Sequence, residues 1–447
     1  MSLRQMREAA ESIAWAAIRA VNPENLVRNS VKLHDSRLDI DKCSLNLDEF
    51  SRIIVIGAGK ASASMAKALE DILGDRIEGG IIIVKDGHSL PLKRLEVVEA
   101  GHPIPDERGV RAARAILSLV TQNSRPDTLI FCLISGGGSA LMPLPTEGVS
   151  LADKQHVTKL LLDCGATIEE INAVRKHISR IKGGQLARAA SPSRLVSLIL
   201  SDVVGDPLDV IASGPTVGDS STFEQAKAVL DKYEIWRLVP NSVSDAIEAG
   251  LNRKTEETPK PNCAIFHKVT NIIIGNNRTA LNAAFEHASK LGFHPLILTT
   301  YLTGEAREIG TVLASIALEV KVSSQPVSPP ACILAGGETT VTIRGDGTGG
   351  RNQEVALAAA LRLAQAPDIF ANIVAASIGT DGTDGPTDAA GAIIDHATVP
   401  RARQMGLEPI QYLRRNDTYN LFKQTGELLI TGPTGTNVMD VLIVLIT

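Results

Sequence analysis

Aromatic residues are scarce. They make up 3% of the 447 residues, with 2 Trp, 4 Tyr and 8 Phe, so platforms on which bases or sugar rings stack are not expected. A basic excess is missing too. Lys and Arg number 45 against 50 Asp and Glu, a net charge of -5, which speaks against a nucleic-acid groove. Cysteines are few, at Cys43, Cys132, Cys164, Cys263 and Cys332, and none pairs at Cys-x-x-Cys spacing. Neither a zinc site nor a redox pair is therefore expected. Cys132 and Cys332 sit in apolar runs and read as small core residues, and the pattern fits a reducing cytoplasm. Long apolar runs are absent as well. Ile13–Ile18 and Val441–Ile446 are too short for a membrane span or a signal-peptide core, and read as part of an amphipathic helix and as a buried strand. The nine histidines form no HExxH or other metal pair; His88 and His102, both just after strands, read as packing residues that could line a cleft.

Apolar residues at 44% and charged residues at 21% are ordinary for a globular chain. At about 150 residues per domain the length allows three domains or two larger ones. The recurring unit is a short apolar run, a glycine-rich turn and a helical stretch. Strands are expected at Arg52–Ile56, Gly80–Val84, Leu95–Glu99, Thr128–Ile134 and Leu195–Leu200, then at Asn271–Ile274, Pro295–Thr299, Ala331–Leu334, Asn372–Ser377 and Val441–Ile446. Helical stretches such as Ala61–Leu73, Val110–Thr121 and Arg278–Leu291 lie between them. Continuous apolar strands alternating with helices imply a largely parallel sheet covered on both faces, with ligands at the carboxyl ends of the strands. The polar stretch Lys254–Pro261 marks a boundary region near 220–270 between two α/β domains.

The 37 glycines concentrate after strand ends. Gly57-Ala58-Gly59-Lys60 lacks the third glycine of a dinucleotide fingerprint, since Ser62 stands there, and lacks the spacer of a P-loop. Its glycines still let backbone amides approach an anion. Lys60 in the first turn of the next helix opposes the macrodipole by about 0.3–1 kcal/mol, a placement that makes sense if an anionic ligand lies between. Ser135-Gly136-Gly137-Gly138-Ser139 offers a backbone nest with two hydroxyls, and Leu141 breaks the nucleophile-elbow pattern. Asp202 follows strand Leu195–Leu200, where catalytic groups often sit, with a turn or capping aspartate as the competing reading. Gly336-Gly337-Glu338 leads through a glycine-rich loop to Arg351, again a cation at a helix start. Gly379 to Asp388 carries Asp381 and Asp384, three apart and so not a calcium loop, but suited to magnesium with phosphate oxygens; an acidic turn is the competing reading.

Together Gly57–Ala61, Ser135–Leu141, Leu200–Asp206, Ala212–Thr216, Gly336–Val341, Gly349–Glu354, Gly379–Thr387 and Thr431–Val438 resemble the glycerate kinase family whose C-terminal part is called the MOFRL domain. The match runs from about residue 5 to 446. The resemblance implies a cytoplasmic enzyme that phosphorylates D-glycerate with ATP and Mg2+ or another divalent cation, most often to 2-phosphoglycerate. It implies two domains, a Rossmann-like one over 1–240 and a MOFRL-type one over 241–447, each a mostly parallel sheet covered by helices. The last strand is free to return to the first domain, and the active site is expected in the cleft between them. The family's active-site lysine and arginine fall on Lys60 and Arg351. Asp202, with Asp381 as second choice, is the expected base for the 2-hydroxyl, and Asp381 and Asp384 are the expected metal ligands. Gly57, Gly59, Ser135, Gly136, Gly137, Gly138, Ser139, Asn277 and Glu338 make up the expected substrate- and phosphate-binding set. Which loop takes ATP and which takes glycerate stays open, as does the oligomeric state, a homo-oligomer included. The rival readings are a nicotinamide-dependent hydroxypyruvate reductase and a non-catalytic nucleotide or sugar-phosphate binding protein.

Overall fold

The computed structural model describes residues 1–365 and 371–447. The chain forms two compact units, one of Pro23–Ile274 and one of Met1–Asn22 with Gly275–Thr447. The expected division after residue 240 therefore falls later, after Ile274, and the first helix counts with the C-terminal unit.

The Pro23–Ile274 unit begins with a small antiparallel sheet of β1 (Val31–His34), β2 (Arg37–Ile40) and β3 (Cys43–Asn46). These four-residue strands are half polar and carry no apolar run to betray them. The main sheet holds β4 (Arg52–Ala58), β5 (Ile77–Lys85), β6 (Glu96–Ala100), β7 (Thr128–Ile134), β8 (Arg194–Leu200) and β9 (Val269–Gly275). Their order is β6-β5-β4-β7-β8-β9. β4 pairs in parallel with β5 and β7, β5 with β6, and β7 with β8. Every residue of β7 is buried, as a strand covered on both faces requires. The order is that of a doubly wound sheet, with the reversal between β4 and β7. The loops leaving those two strands are Gly59–Ala61 and Ser135–Gly137.

The second unit holds β10 (His294–Leu302), β11 (Ala331–Gly337), β12 (Ile373–Gly379), β13 (Gly391–Asp395), β14 (Leu428–Leu429) and β15 (Asp440–Ile446), in the order β10-β11-β15-β12-β13-β14. Only β10 and β11 pair in parallel; the other four pairings are antiparallel. The expected mostly parallel sheet is thus corrected here. β15 is buried on both faces and all apolar after its first residue, so its sequence carries no mark of direction. Because β15 runs against its neighbours, its first residue, Asp440, sits beside their last residues, Gly337 and Gly379. β15 does not return to the first unit's sheet.

The helix Leu3–Ala20 belongs to this unit. Met6, Ala10, Ile13, Ala14 and Ala17 are fully buried at helical spacing. The Arg7 guanidinium donates to Asp395 Oδ2 at 2.6 Å and to the Ile393 carbonyl at 2.7 Å. Among the described residues no helix is long and apolar enough to cross a membrane.

In β5, adjacent glycines differ in the space they leave. A Cβ on Gly80 would lie 1.7 Å from the Val55 carbonyl oxygen, whereas one on Gly79 meets nothing within 4 Å. Gly80→Ala should lower stability by about 1–3 kcal/mol through backbone displacement. Gly79→Ala should be near neutral; urea unfolding of the two variants checks the contrast.

Candidate active site

The reversal point of the first sheet gathers several of the expected residues. The helix after β4 runs Ser62–Leu73, so Lys60 lies two residues ahead of it rather than in its first turn. The Lys60 backbone N–H donates to the Gly136 carbonyl at 2.9 Å, which ties the two glycine loops together. Ser135 completes that tie. Its hydroxyl accepts from the Ala61 N–H at 3.0 Å and lies 3.2 Å from Ser62 Oγ. Buried and occupied in this way, Ser135 is a fastener rather than the hydroxyl ligand its spacing suggested.

Asp202 and His102 reach the same loop. A Cβ on Gly136 would lie 2.2 Å from Asp202 Oδ2, and one on Gly137, where φ is +84, would lie 2.8 Å from the His102 ring. Glycine is needed at 136 for that approach and at 137 for the left-handed backbone as well. His88 Nδ1 is 3.0 Å from the Lys60 carbonyl. Burial, then the charges of Lys60, Lys85 and His88, push the His102 imidazole down to about 4, so the ring is neutral at pH 7.

Ser139 stands at the centre of a cationic group that the sequence did not reveal. Arg175 Nη2 donates to its Oγ at 2.5 Å and Lys182 Nζ at 2.8 Å, with Ser213 Oγ 3.0 Å away. Lys182 also donates to the Ser139 carbonyl at 2.8 Å, and Lys154 Nζ reaches the Ile178 carbonyl at 3.4 Å. Burial, then the Arg175 charge, holds both amines well below the usual lysine range. Burial also lowers Arg175. A cavity of about 610 Å³ opens beside them, lined by His102, Ile104, Ser139, Lys154, Leu162 and Arg175 among others. Scattered basic residues on helices ordinarily read as solvated, and Arg175 in a last helical turn as a dipole partner, so nothing in the local pattern set them apart.

In the second unit Arg351 opens the helix Arg351–Leu363. Its guanidinium grips Asp440 with two bonds, Nε to Oδ2 at 2.7 Å and Nη2 to Oδ1 at 2.9 Å. The third nitrogen donates to Glu338 Oε1 at 2.7 Å. Asn352 Nδ2 adds a bond to Asp440 Oδ1 at 3.0 Å. Burial raises the Asp440 carboxyl to about 6 despite Arg351 beside it. Burial disfavours the Arg351 charge, but Asp440 and Glu338 outweigh it and hold the guanidinium above its ordinary value. Asp440 was missed because a single acid before an apolar run reads as a strand end.

Two expected ligands bond within the protein. Asn277 is buried at the start of the helix Asn277–Lys290, and its amide donates to the Val438 and Asp440 carbonyls, both at 2.9 Å. It holds the entry to β15. Asp384, 2% exposed, accepts from the backbone N–H of Asn352 at 3.0 Å and of Gln353 at 2.9 Å, capping the Arg351 helix. Asp381 Oδ1 accepts from the Thr383 N–H and hydroxyl, both at 3.1 Å. Asp384 is buried against the helix start, whereas Asp381 is half-exposed, so Asp381 is the better placed of the two to meet a divalent cation. Among the described residues no cluster of three or more His, Cys, Asp or Glu could hold a metal ion. Removing the cap in Asp384→Ala should lower stability by about 1–2 kcal/mol. The shift of the urea midpoint checks it.

Two family models match the chain: a domain of unknown function, DUF4147, over residues 9–248, and the MOFRL family over residues 331–440. A glycerate 2-kinase of Pyrococcus horikoshii is 45% identical over 448 residues, covering 100% of this chain and 99% of that one. The crystal structure of a glycerate kinase from Thermotoga maritima superposes with a TM-score of 0.88 at 44% identity, over 99% of this chain and 100% of that one. A relative in Agrobacterium vitis, 44% identical over 399 residues, covers 88% of this chain and 99% of its own length; it carries the provisional name hydroxypyruvate reductase.

Proposed function

Since the chain belongs to the glycerate kinase family with a MOFRL domain, we propose that it transfers the γ-phosphoryl group of ATP to the 2-hydroxyl of D-glycerate, giving 2-phosphoglycerate and ADP. The observation that supports this most is the positioning of two cations at strand ends. Lys60 stands beside the triple-glycine loop with Asp202, and Arg351 is clamped by a buried carboxylate.

Phosphoryl transfer asks a protein for positioning and charge neutralisation more than for covalent chemistry. Lys60 and Arg351 each offer a cation that neutralises an anionic group of the substrates. Arg351 keeps a fixed heading because Asp440 holds two of its nitrogens. Asp202 orients the 2-hydroxyl and takes its proton as the oxygen attacks the γ-phosphorus and ADP departs. The His102 ring, neutral at pH 7, adds no competing charge at the triple-glycine loop. The enzyme works in the cytoplasm, in keeping with cysteines that are all free among the described residues.

The reductase reading is favoured by the strand order, which dinucleotide-binding sheets share, and by the name of the Agrobacterium vitis relative. Ser62 in place of the third glycine weighs against it. One pair of assays separates them. Release of ADP from ATP plus D-glycerate, with a 2-phosphate seen by phosphorus NMR, is expected. Oxidation of NADH by hydroxypyruvate without ADP release would sink the kinase reading.

Lys60→Ala and Arg351→Ala should each lower kcat/KM by about 10³-fold, on the order of 4 kcal/mol. Near-normal turnover in either variant would remove that residue from the assignment. Asp440 makes a pH prediction. Burial raises its carboxyl from the ordinary 3.8 to about 6, so the folded chain holds a proton that the unfolded chain has lost across that window. Its contribution to stability therefore falls as pH rises through the window. Acidification below about 6 neutralises the clamp, so kcat/KM should decline there. Asp440→Asn should be slow at all pH values and lack that acid limb; a wild-type profile flat to pH 5 would contradict the role.

A further inference from the structure

Lys154 and Lys182 are buried and Arg175 is half-buried beside them, with Arg175 and Lys182 donating to Ser139 Oγ and Lys154 to the Ile178 carbonyl. Buried cations are normally paired with carboxylates, because each ion taken out of water is strongly destabilising by itself. Among the described residues none of the three forms an ion pair with an acid: the charges acting on the two lysines are those of their own cationic neighbours. The Asn172 carbonyl oxygen accepts from Ser213 Oγ, which in turn touches Ser139, yet its buried Nδ2 has no partner in the protein. A fold whose purpose at this point was stability alone would not concentrate uncompensated positive charge and an idle donor. An incoming anion supplies what is missing.

The space beside the cluster narrows the class of anion. About 610 Å³ is the size of a pocket for a drug-sized molecule and far more than a three-carbon acid fills. Its lining brings Arg175, Lys154, Lys159 and Ser139, with Asp163 the one acid among the described lining residues, together with the apolar Pro103, Ile104 and Leu162. Ile104 and Leu162 are 71% and 62% exposed, apolar surface that a bound group would cover. A lining that carries both cations and apolar side chains suits a polyphosphate joined to a flat, less polar group. The position also suits it, since the Gly137–Ser139 loop leaves β7 at the reversal point of a doubly wound sheet.

We infer that this cavity seats the nucleotide: Arg175 and Lys154 receive the phosphate chain of ATP, Lys182 fixes Ser139 for the same purpose, and Pro103, Ile104 and Leu162 receive base and ribose. The inference rests on the kinase reading for the identity of the nucleotide, and it decides which of the two substrates the triple-glycine loop serves.

The test uses the full chain with Arg175→Met and Lys154→Met. Kinetics would give KM for ATP and for D-glycerate separately, and calorimetry the Kd for ADP alone, with no glycerate and no turnover. Inorganic tripolyphosphate serves as a competitor. Each variant should raise KM for ATP and Kd for ADP by at least about 30-fold, the scale of a lost charge-assisted contact, and leave KM for glycerate unchanged. Tripolyphosphate should compete with ATP in the wild type. A rise in KM for glycerate with ADP binding intact would overturn the assignment and give these cations to the carboxylate. Unchanged values for both substrates would overturn it too. If the chain proves not to phosphorylate glycerate, ADP binding that is lost in the variants still upholds the cavity, so the two failures are distinguishable. Neither substitution breaks an ion pair, so both variants should unfold at or above the wild-type urea midpoint. Should Arg175→Met fail to fold, Lys154→Met alone decides.

Discussion

The Asp440 carboxylate is the point on which the second unit turns. It is 1% exposed, and its two oxygens receive Arg351 twice and Asn352 once. An ion buried this deeply is tolerable only with such complete pairing. Its place follows from strand direction. A parallel strand between β11 and β12 would begin at the far end of the sheet from their glycine loops. The antiparallel β15 begins level with Gly337 and Gly379, so its first residue can hold a side chain from the Arg351 helix. Asn277 keeps that entry closed by capturing the carbonyls of Val438 and Asp440. Asp384 holds the start of the helix from which Arg351 projects. Residues that looked like ligands in the sequence thus hold the elements that position Arg351.

The first unit treats its cations in the opposite way. Arg351 has its full complement of carboxylates, which fixes its direction. Among the described residues Arg175, Lys154 and Lys182 have hydroxyl and carbonyl oxygens as partners but no acid, so an incoming anion would favour their charged forms. The two arrangements serve different ends: one sets geometry, the other creates a potential. The glycines of the triple loop let Asp202 and His102 come close to the backbone beside this potential.

Much of the fold was legible. All ten strands read from apolar runs are present, and Thr128–Ile134 matches to the residue, because strands buried on both faces leave uninterrupted Val, Ile and Leu. Direction was not legible for the same reason: a doubly covered strand looks alike either way round, and β15 was misjudged. Lys60 and Arg351 stood out because a cation beside a glycine-rich turn at a helix start is electrostatically out of place. Lys154 and Lys182 did not, because their burial arises from tertiary packing that no local pattern records. Asn277, Ser135 and Asp384 show the converse difficulty: all three bond within the protein, and a polar residue at a loop end is the same in sequence whether it faces a ligand or a backbone amide.

The helix Leu3–Ala20 has a consequence for biosynthesis. Its buried face packs within a unit whose remaining residues begin at Gly275, and Arg7 pairs with Asp395. A ribosome adding about 5–20 residues per second makes the partner strands only after tens of seconds. Through that interval the buried face of this helix lacks its partner strands while the Pro23–Ile274 unit is completed. The helix is therefore made well before the strands it packs on, and closure of the second unit waits for β10 to β15.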